Sequence, residues 1–237
     1  VAAKDDHLQK IADELNKDLA KFKLDTPVRR AHFFGQIRQE TGPMAKGGAE
    51  NFKTYTPKRL IEVFGYYSKR HDEAKTDGQQ EKVVPGKKGK QITPAKEEVI
   101  ANKVYGPQGV AKPLENELPD DGWRFRGRGL KQTTGRGNYR RLTAGHKKYW
   151  AEQIDFAINP DLVAQFPYTV RSAVVFWLNN ECWKAADQGM IDTAIDAVTK
   201  IVNSGEINRH LAGKYPAGKN PVLNRRTYVK LSYSAFT

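Results

Sequence analysis

Three Thr-Pro pairs, at Thr26-Pro27, Thr56-Pro57 and Thr93-Pro94, punctuate the first half of the chain. Each is followed by apolar residues at helical spacing. A threonine oxygen accepts from the free N–H groups of a first helical turn, and proline's fixed φ suits the position after the cap, so each pair predicts a helix start. Behind the first come Val28, Ala31, Phe34 and Ile37, with Gly42-Pro43 as the stop. Behind the second come Leu60, Ile61 and Phe64. Behind the third come Val99, Ile100 and Val104, closed by Gly106-Pro107. Residues 4–23 add an amphipathic helix with Leu8, Ile11, Leu15, Leu19 and Phe22 on one face. In the last third, Val170, Ala173, Val174, Trp177 and Leu178 mark an apolar helix with Trp177 in its core. Met190, Ile191, Ala194, Ile195, Val198, Ile201 and Val202 mark another that ends at Asn203-Ser204-Gly205, and residues 221–233 form a short last helix. The fold class is mainly α.

Two stretches break the helical pattern. Residues 68–91 are charged, poor in apolar side chains and rich in Gly and Lys, which reads as an exposed insertion with a hairpin around Val83-Val84. Residues 122–139, GWRFRGRGLKQTTGRGNY, set Gly127, Gly129, Gly135 and Gly137 among Arg126, Arg128 and Arg136. Such glycines permit close backbone approach or positive-φ turns around a short ribbon.

The chain of 237 residues suffices for one sizeable core with a smaller lobe attached, and residues 1–237 are read as a single domain. No apolar run reaches the length of a membrane span. Cys182 is the lone cysteine, so no internal disulfide can form, and its apolar helical setting reads as a buried inert thiol. The five histidines lack metal-ligand spacing and His71-Asp72-Glu73 reads as solvated surface, so no metal or cofactor is expected. A net charge of +13 points to a polyanionic partner: nucleic acid, an anionic membrane face or an acidic wall polymer. The glycine-arginine stretch lacks the aromatic interleaving of a stacking platform and the Lys-Ser/Thr ending of a phosphate loop.

The stretch from His32 to Thr56 carries two carboxylates in different settings. Glu40 ends the helix that begins at Pro27. Glu50 lies beyond the Gly47-Gly48 turn, beside Phe52 and Tyr55. A pair of carboxyls, one protonated and one ionised, facing each other across a cleft is what glycoside hydrolysis requires. In a chain this charged, two such glutamates are more often plain surface groups, so the pair acquires weight from its company.

FFGQIRQETG, ENFKTYTPKRLIEVF, EEVIANKVYG, DGWRFRGRGLKQTTGRGNY, SAVVFWLNNECWKAAD and the IVNSGEIN segment resemble, in this order, the blocks of family 19 glycoside hydrolases. The likeness is to the chitinase-like endolysins of phages and related bacterial peptidoglycan-degrading effectors. It runs from about residue 28 to the C-terminus, with 68–91 as the main gap. It implies a lysozyme-like, two-lobed helical fold with a small β-ribbon or loop region and a cleft between the lobes. Glu40 would be the general acid and Glu50 the general base, with Thr134 holding the attacking water. Gln132, Asn138 and Asn203 match substrate-contacting positions, and Arg225 and Tyr55, the latter beside the second glutamate, are expected with them against substrate. Arg225 is the better match to the family's late arginine, with Arg226 left open. Such a site would give an inverting reaction, with Glu40 raised in pKa by apolar neighbours such as Phe33 or Phe34. Two features depart from the pattern. Gln39 stands where the family usually has His, and the Glu40–Glu50 interval is a residue longer than in many phage relatives, which keeps Glu62 as a second candidate base.

The implied substrate is the β-1,4-linked glycan of peptidoglycan, whose stem-peptide carboxylates would attract the basic surface; chitin is the neutral alternative. A wall-binding domain without catalysis and a nucleic-acid module built on the glycine-arginine stretch are the competing classes. Partners on this reading are glycan strands and, for an effector, a cognate immunity or inhibitor protein, with no nucleic acid and no membrane; a monomer is expected. The opening VAAKDDHLQK has neither a start methionine nor a leader pattern. It reads as an excised or processed product, brought to the periplasm or cell wall by phage lysis or a secretion system.

Overall fold

The computed structural model describes residues 6–83, 89–109 and 114–237. It is mainly helical, with twelve α-helices and one two-stranded sheet among the described residues. The helices are α1 (Asp6–Asn16), α2 (Pro27–Thr41), α3 (Pro57–Val63), α4 (His71–Asp77), α5 (Glu97–Tyr105), α6 (Asp121–Arg124), α7 (Arg136–Tyr149), α8 (Tyr168–Asn179), α9 (Cys182–Ala186), α10 (Asp192–Val202), α11 (Ser204–Leu211) and α12 (Pro221–Ser234). Strands β1 (Gln80–Val83) and β2 (Lys90–Thr93) form an exposed antiparallel hairpin that pairs Gln80 with Thr93 and Val83 with Lys90.

Two of the Thr-Pro signals act as read. The Thr26 hydroxyl accepts from Arg29 N at 3.2 Å and the Thr56 hydroxyl from Arg59 N at 3.3 Å, with proline in each first turn. Thr93 does not cap a helix. It ends β2 against Gln80, and α5 begins at Glu97. The helix expected over 4–23 is also shorter. It stops at Asn16 because Asp18 turns the chain locally, its carboxylate accepting from Lys21 N at 2.9 Å, and Lys23 takes a positive φ. Leu15 and Phe22 still reach the same core, by way of a turn instead of one helix face.

That larger core gathers Phe33 and Ile37 of α2, Leu130, Val174 and Trp177 of α8, and Val198 of α10. The smaller lobe has its own core around Phe52, Leu60, Phe64, Tyr67, Ile100 and Val104. Helix α2 is buried almost all round, and α12 runs along it. Contact there is so close that a Cβ on Gly35 would stand 2.4 Å from Val229 Cγ2. The α2–α12 pair is what fixes the end of α2, and therefore Glu40, in the larger lobe.

The charged stretch 68–91 is only partly an exposed insertion. Residues 71–77 form α4, which buries Ala74 and Asp77 against the smaller core. The Tyr67 hydroxyl donates to Asp77 at 2.9 Å and Lys103 pairs with it at 2.6 Å, so charge in this segment is spent on internal pairing. Of the expected hairpin centre, Val83 closes β1 and Val84 lies outside the described residues.

Candidate active site

Glu40 projects from the last turn of α2, where its Oε1 meets Arg225 Nη2 at 2.5 Å. Arg225 is fully buried on α12 and uses every face of its guanidinium. Its Nε donates to Glu206 Oε2 at 2.8 Å and its Nη1 to Gln36 Oε1 at 2.8 Å. Asn203 caps α11 by accepting from Glu206 N at 3.2 Å, while its amide donates to Glu206 Oε1 at 3.1 Å. A chain of polar contacts thus runs Asn203–Glu206–Arg225–Glu40. Arg226 points away from it, toward Asp192 and Asp196. Of the two arginines, Arg225 is the one that meets Glu40. Asn203, expected against substrate, spends both side-chain groups on Glu206.

The apolar surroundings expected for Glu40 are only half there. Phe34 packs toward Phe236, ring centres 5.7 Å apart. Phe33 packs edge-on to Trp177, yet it also lines, with Glu40, Leu130, Lys131 and Phe176, a small cavity of about 20 Å³. The dominant neighbour of Glu40 is the guanidinium.

Glu50 is held differently. The loop that carries it is tied across the chain: Glu50 N donates to Gly127 O at 2.7 Å, and Gly127 N returns to Glu50 Oε2 at 3.3 Å. The Tyr105 hydroxyl donates to Oε1 at 2.9 Å. Burial pushes the Glu50 carboxyl above its ordinary value, opposed by the Tyr105 and Gly127 donors and by the Arg126 charge. Tyr55 adjoins this carboxylate electrostatically and stacks on Phe64 at 5.6 Å, as part of the smaller core. Glu62 lies half-exposed on α3 beside Arg59.

Gly127 explains how three of the sequence-predicted residues meet. A Cβ at this position would stand 2.7 Å from Gln132 Oε1 and 3.3 Å from both Glu50 Oε2 and Thr134 Oγ1. Three oxygens converge on the bare face of one glycine. The turn that achieves this is closed by the Arg128–Thr133 bridge, with Gln132 at positive φ and its amide donating to Gly48 O at 3.1 Å and Gly129 O at 3.0 Å. Thr134 donates to Gln132 O, and Asn138, in the first turn of α7, donates to Thr134 O.

Gln132, Thr134 and Asn138 line a cavity of about 290 Å³ together with Lys131, Arg141, Phe176, Asn179 and Asn180. Lys131 and Phe176 line both this cavity and the small one beside Glu40. Glu40 thus shares a lining with Lys131 and Phe176, which also line the cavity of Thr134 and Gln132; Glu50 lines neither cavity and meets Thr134 and Gln132 at Gly127. Such a surface, with amides, a hydroxyl and one ring edge, suits a sugar chain.

The arginines of the glycine-arginine stretch serve the fold. Arg128 is buried and pairs with Asp161 at 2.5 Å, and Arg136 pairs with the buried Asp121. Arg126 lies over the Trp123 ring at 3.7 Å. Cys182 is buried and its thiol is pushed up to about 12 by desolvation, as its apolar setting suggested. Among the described residues no group of three or more His, Cys, Asp and Glu could hold a metal ion, and no helix is long and apolar enough to cross a membrane.

Sequence reading passed over Gln36, Tyr105, Lys131 and Glu206. Gln36 carried a faint signal, lying one turn before Glu40 on the same face of α2, and Glu206 carried none. Tyr105 carried none, because a tyrosine near a helix end is ordinary in sequence.

No protein-family model matches the chain. It is 33% identical over 112 residues to a glycosyl hydrolase family 19 domain-containing protein of Haemophilus influenzae, an alignment covering 46% of this chain and 46% of that protein. The aligned part is thus about half the length of the curated relative. With the mainly helical fold, that similarity supports kinship with the family 19 glycoside hydrolases.

Proposed function

We propose that this chain hydrolyses the β-1,4 glycosidic bond of the peptidoglycan glycan by a single-displacement, inverting reaction. The observation that carries the reading is the convergence of Glu50, Thr134 and Gln132 on Gly127, with Thr134 and Gln132 lining a cavity that shares Lys131 and Phe176 with the one beside Glu40. In this reaction Glu40 protonates the leaving glycosidic oxygen. Glu50 draws a proton from a water oriented by the Thr134 hydroxyl, which attacks the anomeric carbon from the opposite face. A carboxylate made more basic by burial is a better proton acceptor once ionised, which suits Glu50. Arg225, fixed by Glu206 and Gln36, holds Glu40 to one orientation. The groove takes the sugar chain, and no cofactor enters the reaction.

The preference for peptidoglycan over chitin rests on the +13 charge, which a neutral polymer would not exploit. On this reading the chain acts at the cell wall, delivered by phage lysis or a secretion system, and an effector of this kind would be matched by an immunity or inhibitor protein. The test is release of reducing ends from purified sacculi, with the anomer of the new end followed by NMR. Glu40→Gln and Glu50→Gln are each expected to lower turnover by at least about a hundredfold while the fold persists. Undiminished release in Glu40→Gln ends the assignment, and cleavage of chitin oligomers but not sacculi moves the substrate to chitin.

One observation favours a second assignment in which the two roles are exchanged. Burial raises Glu50, and a raised carboxyl is also what a proton donor needs. Azide separates the two. As an external nucleophile it restores turnover to the variant that lacks the base, so rescue of Glu50→Gln supports the first assignment and rescue of Glu40→Gln the second.

A further inference from the structure

Among the described residues, Lys131 is the one cation lining the two cavities that forms no ion pair. Arg225 is shared among Glu40, Glu206 and Gln36, and Arg141 pairs with Glu115 and bonds Asn138. Lys131, by contrast, makes no side-chain hydrogen bond and no ion pair with any described residue; its Nζ lies 4.6 Å over the Phe176 ring. It lines both the small cavity beside Glu40 and the larger amide-lined one. Burial pushes its ammonium below the ordinary lysine value, with Glu40 pulling it back up and Arg225 pressing it further down. A desolvated ammonium that no carboxylate contacts directly is costly, and an anion brought in by a ligand would relieve that cost.

Resting on the glycan-hydrolase reading above, we infer that Lys131 is a specificity-determining residue that binds a carboxylate carried by the glycan, so that the groove prefers an acidic, peptide-substituted sugar chain to a neutral one. The neighbouring Asn179 amide would contact an adjoining sugar, whatever its charge. Two sources can supply the carboxylate: the stem peptide, or the lactyl group exposed when the peptide has been removed.

The experiment measures binding, so that it does not depend on turnover. Calorimetric titrations at low salt compare three ligands: a muropeptide with its stem peptide, the same glycan after amidase treatment, and a neutral N-acetylglucosamine tetramer. The proteins are the unaltered chain, Lys131→Met, which keeps the stem over Phe176, and Lys131→Arg, which keeps the charge. The unaltered chain is expected to prefer an acidic ligand. Lys131→Met should cut that preference, the ratio of neutral to acidic Kd, by about tenfold, as loss of one charge-assisted bond would. Lys131→Arg should retain most of it. The acidic ligand whose affinity falls identifies which carboxylate is read. An unaltered chain without preference overturns the inference, as does equal weakening of all three ligands in Lys131→Met. If the acidic preference collapses in Lys131→Met but no glycan is ever cleaved, the inference stands and the catalytic reading falls.

Discussion

The two candidate carboxylates are held by opposite means. Glu40 sits at the end of a polar relay, gripped by an arginine that is itself gripped by Glu206 and Gln36. Glu50 sits against an aromatic core and is held by neutral donors, a tyrosine hydroxyl and a backbone N–H. One site fixes a charge by pairing it, the other by surrounding it with little water and few donors. The difference teaches where each lobe stores its cost. The larger lobe depends on the ion pairs remaining complete, and the smaller lobe tolerates a charge that it would be more stable without.

The contrast breaks most visibly at Arg225. Arg225→Met leaves Glu40 and Glu206 without their shared partner and should cost about 3 kcal/mol or more in denaturant unfolding. Lysine there should restore little of it, because one ammonium cannot serve three acceptors on different sides. Full stability in Arg225→Met would mean that the relay contributes nothing to the fold.

A sharper comparison sets the two neutral variants side by side. Glu40→Gln gives up a charge-assisted bond to a buried arginine and should lose about 2 kcal/mol. Glu50→Gln should gain stability near neutral pH. Its carboxyl is raised in the folded state, so the stability it contributes is present below the unfolded value and lost as pH rises through the folded one. Removing the charge abolishes that loss, so the gain should fade in acid. Thermal unfolding of both variants at pH 4 and pH 7 checks the signs, and a destabilised Glu50→Gln at pH 7 refutes this account of the smaller lobe.

The smallest effect is expected at Tyr105. Tyr105→Phe removes the hydroxyl that draws the Glu50 pKa down and should cost about 1 kcal/mol. It should also raise the Glu50 pKa further. With Glu50 as base, only the ionised form works, so the acid limb of the pH–rate profile moves to higher pH. With Glu50 as donor, the alkaline limb moves instead. A profile unchanged in both limbs would separate Glu50 from the chemistry.

Much of this was legible residue by residue. Thr26-Pro27 and Thr56-Pro57 announce helix starts because cap and φ preferences act within four residues. Thr93-Pro94 carries the same letters and misleads, because pairing with Gln80 across the hairpin outweighs the local cap. The stretch 71–77 looked solvated by composition, yet one alanine and one aspartate are enough to seat α4 on the smaller core when Tyr67 and Lys103 meet the aspartate.

What the sequence by itself determined is the helical class and the ends of the capped helices, since propensity and periodicity are local properties, while the candidacy of Glu40, Glu50, Gln132 and Thr134 came from its resemblance to the family 19 blocks. Only the tertiary structure decided that Arg225 and not Arg226 grips Glu40, that Asn203 serves Glu206, that Tyr105 holds Glu50, and that Lys131 lines both cavities with no ion pair among the described residues. Those outcomes depend on which residues far apart in the chain arrive within three or four ångströms of one another, and on how much water is left around them when they do.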